Sequence, residues 1–280
     1  MSTTARRRPG AAPRREARAA GTALVTGASS GIGEALARRF AQLGFDLVLV
    51  ARGVERLQAL AQALRTEQGV RVHVHACDLS VPDAPRALAA ALRRARCRVD
   101  VLVNNAGVVG WGEFARQTAE QHRAVVELNV GATTQMLAQF LPPMLRRGAG
   151  RVLNVASVAA FQPLPRLAAY AASKAYLLAL SEALAEELRG SGVTVTTLCP
   201  GITATPMLRG AQRGSRGLQR LPPIVIGEAD AVAAEGVAAC LDGALVCIPG
   251  TLNQAAVLAA RATPRVLLRR LGSAIVRRFE

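Results

Sequence analysis

The sequence predicts an α/β fold, a single domain built on a doubly wound parallel sheet, and three observations carry that prediction. Short, nearly continuous aliphatic runs alternate with longer amphipathic stretches from Thr22 onward. Gly, Asn, Asp or Pro bounds the runs, and 280 residues with 51% hydrophobic content can bury one large core. Runs that are apolar at almost every position suit strands covered on both faces. Their regular alternation with helical stretches implies right-handed βαβ units.

Taken in order, the strands are expected at 22–26, 46–50, 70–76, 99–103, 151–156, 193–198 and 244–248. The helical stretches between them fall near 32–43, 54–67, 83–95, 117–146, 169–189 and 228–241, and Gly44 stands just past the first, where a glycine stop belongs. The segment 200–223, rich in Gly, Pro and Arg, reads as a long loop. Residues 1–20 place Pro9 and Pro13 among arginines without apolar periodicity, so a disordered basic tail is expected there. Residues 251–280 read as a basic, amphipathic helical extension interrupted at Pro264, which leaves 21–250 as the domain proper.

Net charge is +16, but residues 1–20 and 250–280 each hold six Arg against one Glu, which leaves +6 for everything between. With only 3% aromatic residues to stack on bases, nucleic acid is excluded as the main ligand. No apolar run is long enough to span a bilayer, and the arginine-rich start lacks the apolar stretch of a secretory signal. Five cysteines without a CxxC pair read as small hydrophobes in a reducing compartment, so a cytoplasmic protein is expected. His73 and His75 alternate on one strand without a third ligand nearby and read as structural, so no metal is expected.

The first strand runs into Thr26-Gly27-Ala28-Ser29-Ser30-Gly31-Ile32-Gly33 and then a helix. Such a turn lets backbone approach a pyrophosphate while helix-start amides face the anion, which is the arrangement of a Rossmann-type dinucleotide site. Where a free ribose 2′-hydroxyl would want an acid at the end of the second strand, the chain has Val50-Ala51-Arg52. A guanidinium there meets a 2′-phosphate, which favours NADP(H) over NAD(H). An exposed arginine in an arginine-rich chain is the plainer reading.

Lys174 is the only lysine beside 34 arginines, at a place where a compact ammonium is wanted. Tyr170 lies one helical turn before it, and a nearby ammonium would favour the phenolate and lower that phenol's pKa. Ser157, closing the preceding strand, could hydrogen-bond a substrate oxygen. A lone Tyr-x-x-x-Lys is weak evidence, and the combination is what counts.

Jointly, TGASSGIG at 26–33, Asp78-Leu79, Asn104-Asn105-Ala106-Gly107, Asn129, Ser157, Tyr170-Ala-Ala-Ser-Lys174 and Pro200-Gly201 resemble the classical short-chain dehydrogenase/reductase family, from about residue 22 to 250. The resemblance implies that Tyr170 is the acid/base, that Lys174 lowers its pKa and holds the nicotinamide ribose, and that Ser157 positions the reacting oxygen. Asn129 would bend its helix and support a relay water. Asp78 and Leu79 would flank the adenine, Asn105, Ala106 and Gly107 the adenosine side, and Ile202 and Thr205, after Pro200, the carboxamide and phosphates. A homodimer or homotetramer is implied as well. The ending, Ile248-Pro249-Gly250 and then a basic tail, departs from the shorter ketoacyl reductases and is more similar to the short-subunit dehydrogenase branch, whose substrates are diverse.

Trp111, Phe161 and Met207 stand where substrate-pocket walls would fall, and core packing is their plainer reading. Apolar surroundings point to a lipophilic ketone or aldehyde as the small-molecule substrate. The alternative is a non-catalytic NADP(H)-binding regulator or scaffold on the same fold, against which the combination of Ser157 and Tyr170 argues. The tail is expected to dock over the substrate mouth or a twofold partner through Leu252, Ala255, Ala256, Ala259, Val266, Leu267 and Ile275, arginines outward. Contact of the basic tail with an anionic membrane surface stays open but is not favoured.

Overall fold

The computed structural model describes residues 20–213, 216–264 and 266. In chain order the elements are β1 (Thr22–Thr26), α1 (Gly31–Gln42), β2 (Asp46–Ala51), α2 (Val54–Gln68), β3 (Val72–Ala76), α3 (Ala84–Arg94), β4 (Val101–Asn104), α4 (Ala119–Val125) and α5 (Thr133–Arg146). There follow β5 (Gly150–Val155), α6 (Ala168–Glu187), β6 (Val193–Leu198), α7 (Pro206–Arg213), α8 (Arg216–Gln219), α9 (Ala229–Asp242), β7 (Val246–Cys247) and α10 (Thr251–Ala262).

The central strands are largely apolar on both faces because helices cover both. Along β1, Ala23 and Val25 join α1, α2 and α9 in one core, while Leu24 between them joins α3 and α5 in the other. Strand β4 repeats the division, with Val101 and Val103 on the first side and Leu102 on the second. All pairings are parallel, in the order β3-β2-β1-β4-β5-β6-β7, with Leu24 opposite both Val48 and Leu102. The order reverses between β1 and β4, so the loops leaving these strands diverge and open a crevice at their C-terminal ends. This is a Rossmann-like α/β domain.

Four expectations change. The single helix expected over 117–146 is divided: α4 and α5 flank a wider π turn, Val126–Ala132. The stretch 200–223 carries α7 and α8. The last strand is reduced to two residues, with Val246 opposite Thr197. In the tail, α10 ends before Pro264 and buries Val257 and Ala260, while Leu252, Ala255, Ala256 and Ala259 of the expected stripe are exposed, as is Val266. The docked face is chosen by what lies beneath it, Gly201 and Phe161, which accept Asn253 and Arg261.

Residues 1–19, the body of the expected basic tail, lie outside the described residues, as do Leu267, Ile275 and the rest of 267–280. Among the described residues no helix is long and apolar enough to cross a membrane, and no three His, Cys, Asp or Glu side chains group as a metal site.

Candidate active site

The crevice is floored by the turn between β1 and α1. Gly27 and Gly31 have left-handed backbone, φ +65° and +58°, so the chain reverses within four residues. Gly33 is needed for space: a Cβ there would lie 2.2 Å from the Gly27 carbonyl oxygen. Asn105 ties the end of β4 to this turn, its Nδ2 donating to Thr26 O at 2.9 Å. The backbone N–H groups of Asn105 and Ala106 donate to Thr26 Oγ1 at 2.9 and 3.0 Å. Ser29, Ser30, Ile32, Ala106 and Gly107 line the opening above.

At one end Arg52 follows β2, largely exposed, 3.9 Å from Asp78. The Asp78 carboxyl is held below its ordinary value, first by hydrogen bonds from the Ser80 hydroxyl and N–H at 2.7 and 3.0 Å and less by Arg52. Leu79 is buried beside it. Arg56, one turn into α2, lines the same end. Sequence reading passed over it, although its spacing of four from Arg52 was the available signal.

At the other end Ser157 closes β5 and caps a 3-10 turn, Val158–Phe161. Its Oγ accepts from Ala159 N at 3.1 Å and donates to Pro200 O at 3.4 Å. Tyr170 enters from the first turn of α6, with the Ser157 hydroxyl the polar group that acts on its phenol. One turn later Lys174 is buried, its Nζ donating to Val155 O at 2.8 Å and lying 5.7 Å from the Tyr170 ring centroid. Burial lowers the Lys174 ammonium to about 8.

The expected lowering of the Tyr170 phenol is not found. Burial pushes it above its ordinary value, against the smaller opposing effect of the Ser157 hydrogen bond.

Asn129 stands in the wide turn behind this end, fully buried. Its Oδ1 accepts from Val108 N at 2.9 Å, and its Nδ2 donates to Val108 O and Ser173 Oγ, both at 3.0 Å. It therefore touches the wall of the cleft and not its interior. Ser173, also passed over in the sequence, bridges Asn129 to Tyr170 O at 2.7 Å, and its place inside the Tyr-Ala-Ala-Ser-Lys run was the signal.

A cleft of about 860 Å³ joins the two ends. Trp111 and Met207 line it, with Val109, Leu164, Leu167 and Leu208. Pro200, Ile202 and Thr205 also line it, with Thr205 beside the glycine turn, where a Cβ on Gly31 would lie 3.0 Å from its Cγ2. Phe161 does not line the cleft. The 3-10 turn carries it to the far side, against Ala156, Leu177, Leu178 and Cys199, with the Arg261 guanidinium 4.9 Å above its ring. The residues present fit a nicotinamide dinucleotide: backbone without Cβ at the turn, cations at one end, and proton-bearing groups at the other.

Residues 21–215 match the short chain dehydrogenase family. An uncharacterized oxidoreductase of Staphylococcus epidermidis is 36% identical over 194 residues, 69% of this chain and 83% of that one. A short-chain dehydrogenase from Sphingobium yanoikuyae, solved in complex with NADPH, is 36% identical with a TM-score of 0.76, over 86% of this chain and 93% of that one. The bulky-bulky ketone specific alcohol dehydrogenase from Comamonas testosteroni is 31% identical with a TM-score of 0.73, over 88% and 95%. With the sheet order, the glycine turn and the Tyr170–Lys174 end in agreement, the chain belongs to the short-chain dehydrogenase family, enzymes that interconvert CH–OH and C=O groups with a nicotinamide cofactor.

Proposed function

We propose that this enzyme uses NADPH to reduce an uncharged, lipophilic ketone or aldehyde. The observation that carries the reading is the polarity of one cleft. It offers two guanidinium groups, Arg52 and Arg56, and brings Ser157 and Tyr170 into the same space as the apolar side chains of Val109, Trp111, Leu164, Leu167, Met207 and Leu208. When bound, a dihydronicotinamide supplies a hydride to the carbonyl carbon. Tyr170 gives its phenolic proton to the carbonyl oxygen as charge develops there, and Ser157 hydrogen-bonds the same oxygen. Lys174, mostly protonated at neutral pH, carries positive charge beneath the phenol and lines the same cleft. Asn129 and Ser173 hold the backbone of Val108 and Tyr170 in place behind these groups.

Arg52 and Arg56 support the preference for NADPH, because no carboxylate ends β2 to receive a ribose 2′-hydroxyl and paired guanidinium groups suit a 2′-phosphate. The bulky-ketone enzyme among the similar structures supports the size of the substrate. The test is NADPH oxidation against a panel of bulky apolar, small polar and anionic carbonyl compounds, with NADPH and NADH affinities measured beside it. Bulky neutral ketones are expected to turn over best. Arg52→Ala is expected to cost about 1–3 kcal/mol of NADPH binding and to leave NADH nearly unchanged. Equal affinity of the parent for the two cofactors would remove the cofactor preference, and a preference for anionic substrates would remove the substrate class.

A further inference from the structure

We propose that helix α10, through Asn253 and Arg261, fixes the position of the Ser157 hydroxyl, which makes both positioning residues for the reaction proposed above. The inference rests on that reading of Ser157. The Ser157 Oγ is held by two backbone groups, Ala159 N and Pro200 O, and Val158 N also donates to Pro200 O at 2.9 Å. Its place is therefore set by the 3-10 turn Val158–Phe161 on one side and by the Pro200–Gly201 turn on the other.

Helix α10 lies across both. Asn253 rests on Gly201, where a Cβ would come within 2.4 Å of its Oδ1, and its Nδ2 is anchored on Pro249 O at 2.7 Å. Two turns later the Arg261 guanidinium lies 4.9 Å over the Phe161 ring and 3.9 Å from Glu182 of α6. Val257 and Ala260 are buried between them, so residues 253, 257, 260 and 261 form the docked face. Neither Asn253 nor Arg261 lines the cleft, so any effect they have on the chemistry must pass through the two turns. The exposed ion pair to Glu182 adds little by itself, whereas a small displacement of a hydroxyl in a reacting site is costly.

The test reads Tyr170 directly. The chain has two tyrosines, and Tyr176 is half exposed with its hydroxyl on Thr134 Oγ1. Tyr176→Phe then leaves Tyr170 as the only source of phenolate absorbance. The groups facing that phenol are Ser157 from the end of β5 and Lys174 from α6. Losing the Ser157 hydrogen bond withdraws support from the phenolate, so in Asn253→Ala and Arg261→Ala the titration is expected to move to higher pH, as in Ser157→Ala but by less. Turnover of a ketone substrate is expected to fall about tenfold with NADPH affinity unchanged. Arg261→Lys, which keeps a cation over the ring, should restore both. In a Ser157→Ala background the α10 variants should add nothing further.

An unmoved titration, or an equal shift with and without Ser157, would overturn the proposal. If Arg261→Ala does not fold, Arg261→Met keeps the stem on Phe161, removes the charge, and is read by the same shift. Absence of carbonyl turnover in the parent would count against the proposed reaction alone, because the titration needs no substrate.

Discussion

Tyr170 is pulled two ways, and the stronger pull decides what it does at neutral pH. Burial favours the neutral phenol and the Ser157 hydroxyl favours the phenolate, with burial ahead. A phenol held above its ordinary value keeps its proton through the neutral range, which suits the acid of a carbonyl reduction. The reverse reaction needs the phenolate, so kcat/KM for alcohol oxidation is expected to rise with pH while reduction stays level around neutrality. A flat oxidation profile would contradict this assignment. Tyr170→Phe is expected to lower kcat by about 10²-fold or more with cofactor binding retained, measured in single turnovers. That Tyr170 and Lys174 come together beside Ser157 was legible in the sequence, because one lysine among 34 arginines marks its own position. Phe161 could not be placed: its nearness to Ser157 along the chain is undone by a single 3-10 turn.

Among the elements, the strands were the most legible, since burial on both faces leaves an apolar run with little ambiguity. The wide turn at Val126–Ala132 left no mark on hydrophobic periodicity, and only the family resemblance, through the bend expected at Asn129, pointed to it. Helices α7 and α8 were not legible, because their Gly- and Arg-rich composition resembles that of a loop. For α10 the sequence gives two apolar faces and no means of choosing, since the choice lies with Gly201 and Phe161 in the tertiary fold. The glycine turn was legible in position but not in tightness. A Cβ at Gly33 would lie 2.2 Å from the backbone of Gly27 and 2.4 Å from Asn105 Nδ2, and backbone cannot swing aside as a side-chain end can. Gly33→Ala is therefore expected to lower stability by about 1–3 kcal/mol and to weaken both NADPH and NADH, in contrast to Arg52→Ala. Denaturant melts with cofactor titrations check it, and a variant that binds both cofactors as the parent does would show that the turn has slack.

Across the whole molecule, the buried titratable groups set how stability varies with pH. Burial lowers Lys174 from 10.5 to about 8, so the unfolded chain holds this proton more tightly than the folded one. Stability from this group is therefore withheld below pH 8 and grows as pH rises from about 8 towards 10.5. Cys199 and Cys240 act in the opposite sense. Burial pushes both thiols from 9.0 up to about 12, so their contribution is complete below 9 and is lost as pH rises towards 12. Tyr170, raised above 10.0, adds to that loss. These groups together place the alkaline turnover in stability near pH 9. Lys174→Met isolates the lysine, because the thiols and the phenol are common to both proteins. The exchange removes a buried charge but leaves Val155 O without its donor, at about 1–3 kcal/mol, so the two proteins should differ only modestly in stability at pH 7. The difference itself must move. Between pH 7 and pH 10 it should shift in the parent's favour by about 2–3 kcal/mol, as the parent sheds its buried charge and the variant has none to shed. Denaturant midpoints at the two pH values measure this, and a difference independent of pH would mean that the ammonium is as well accommodated in the fold as in water.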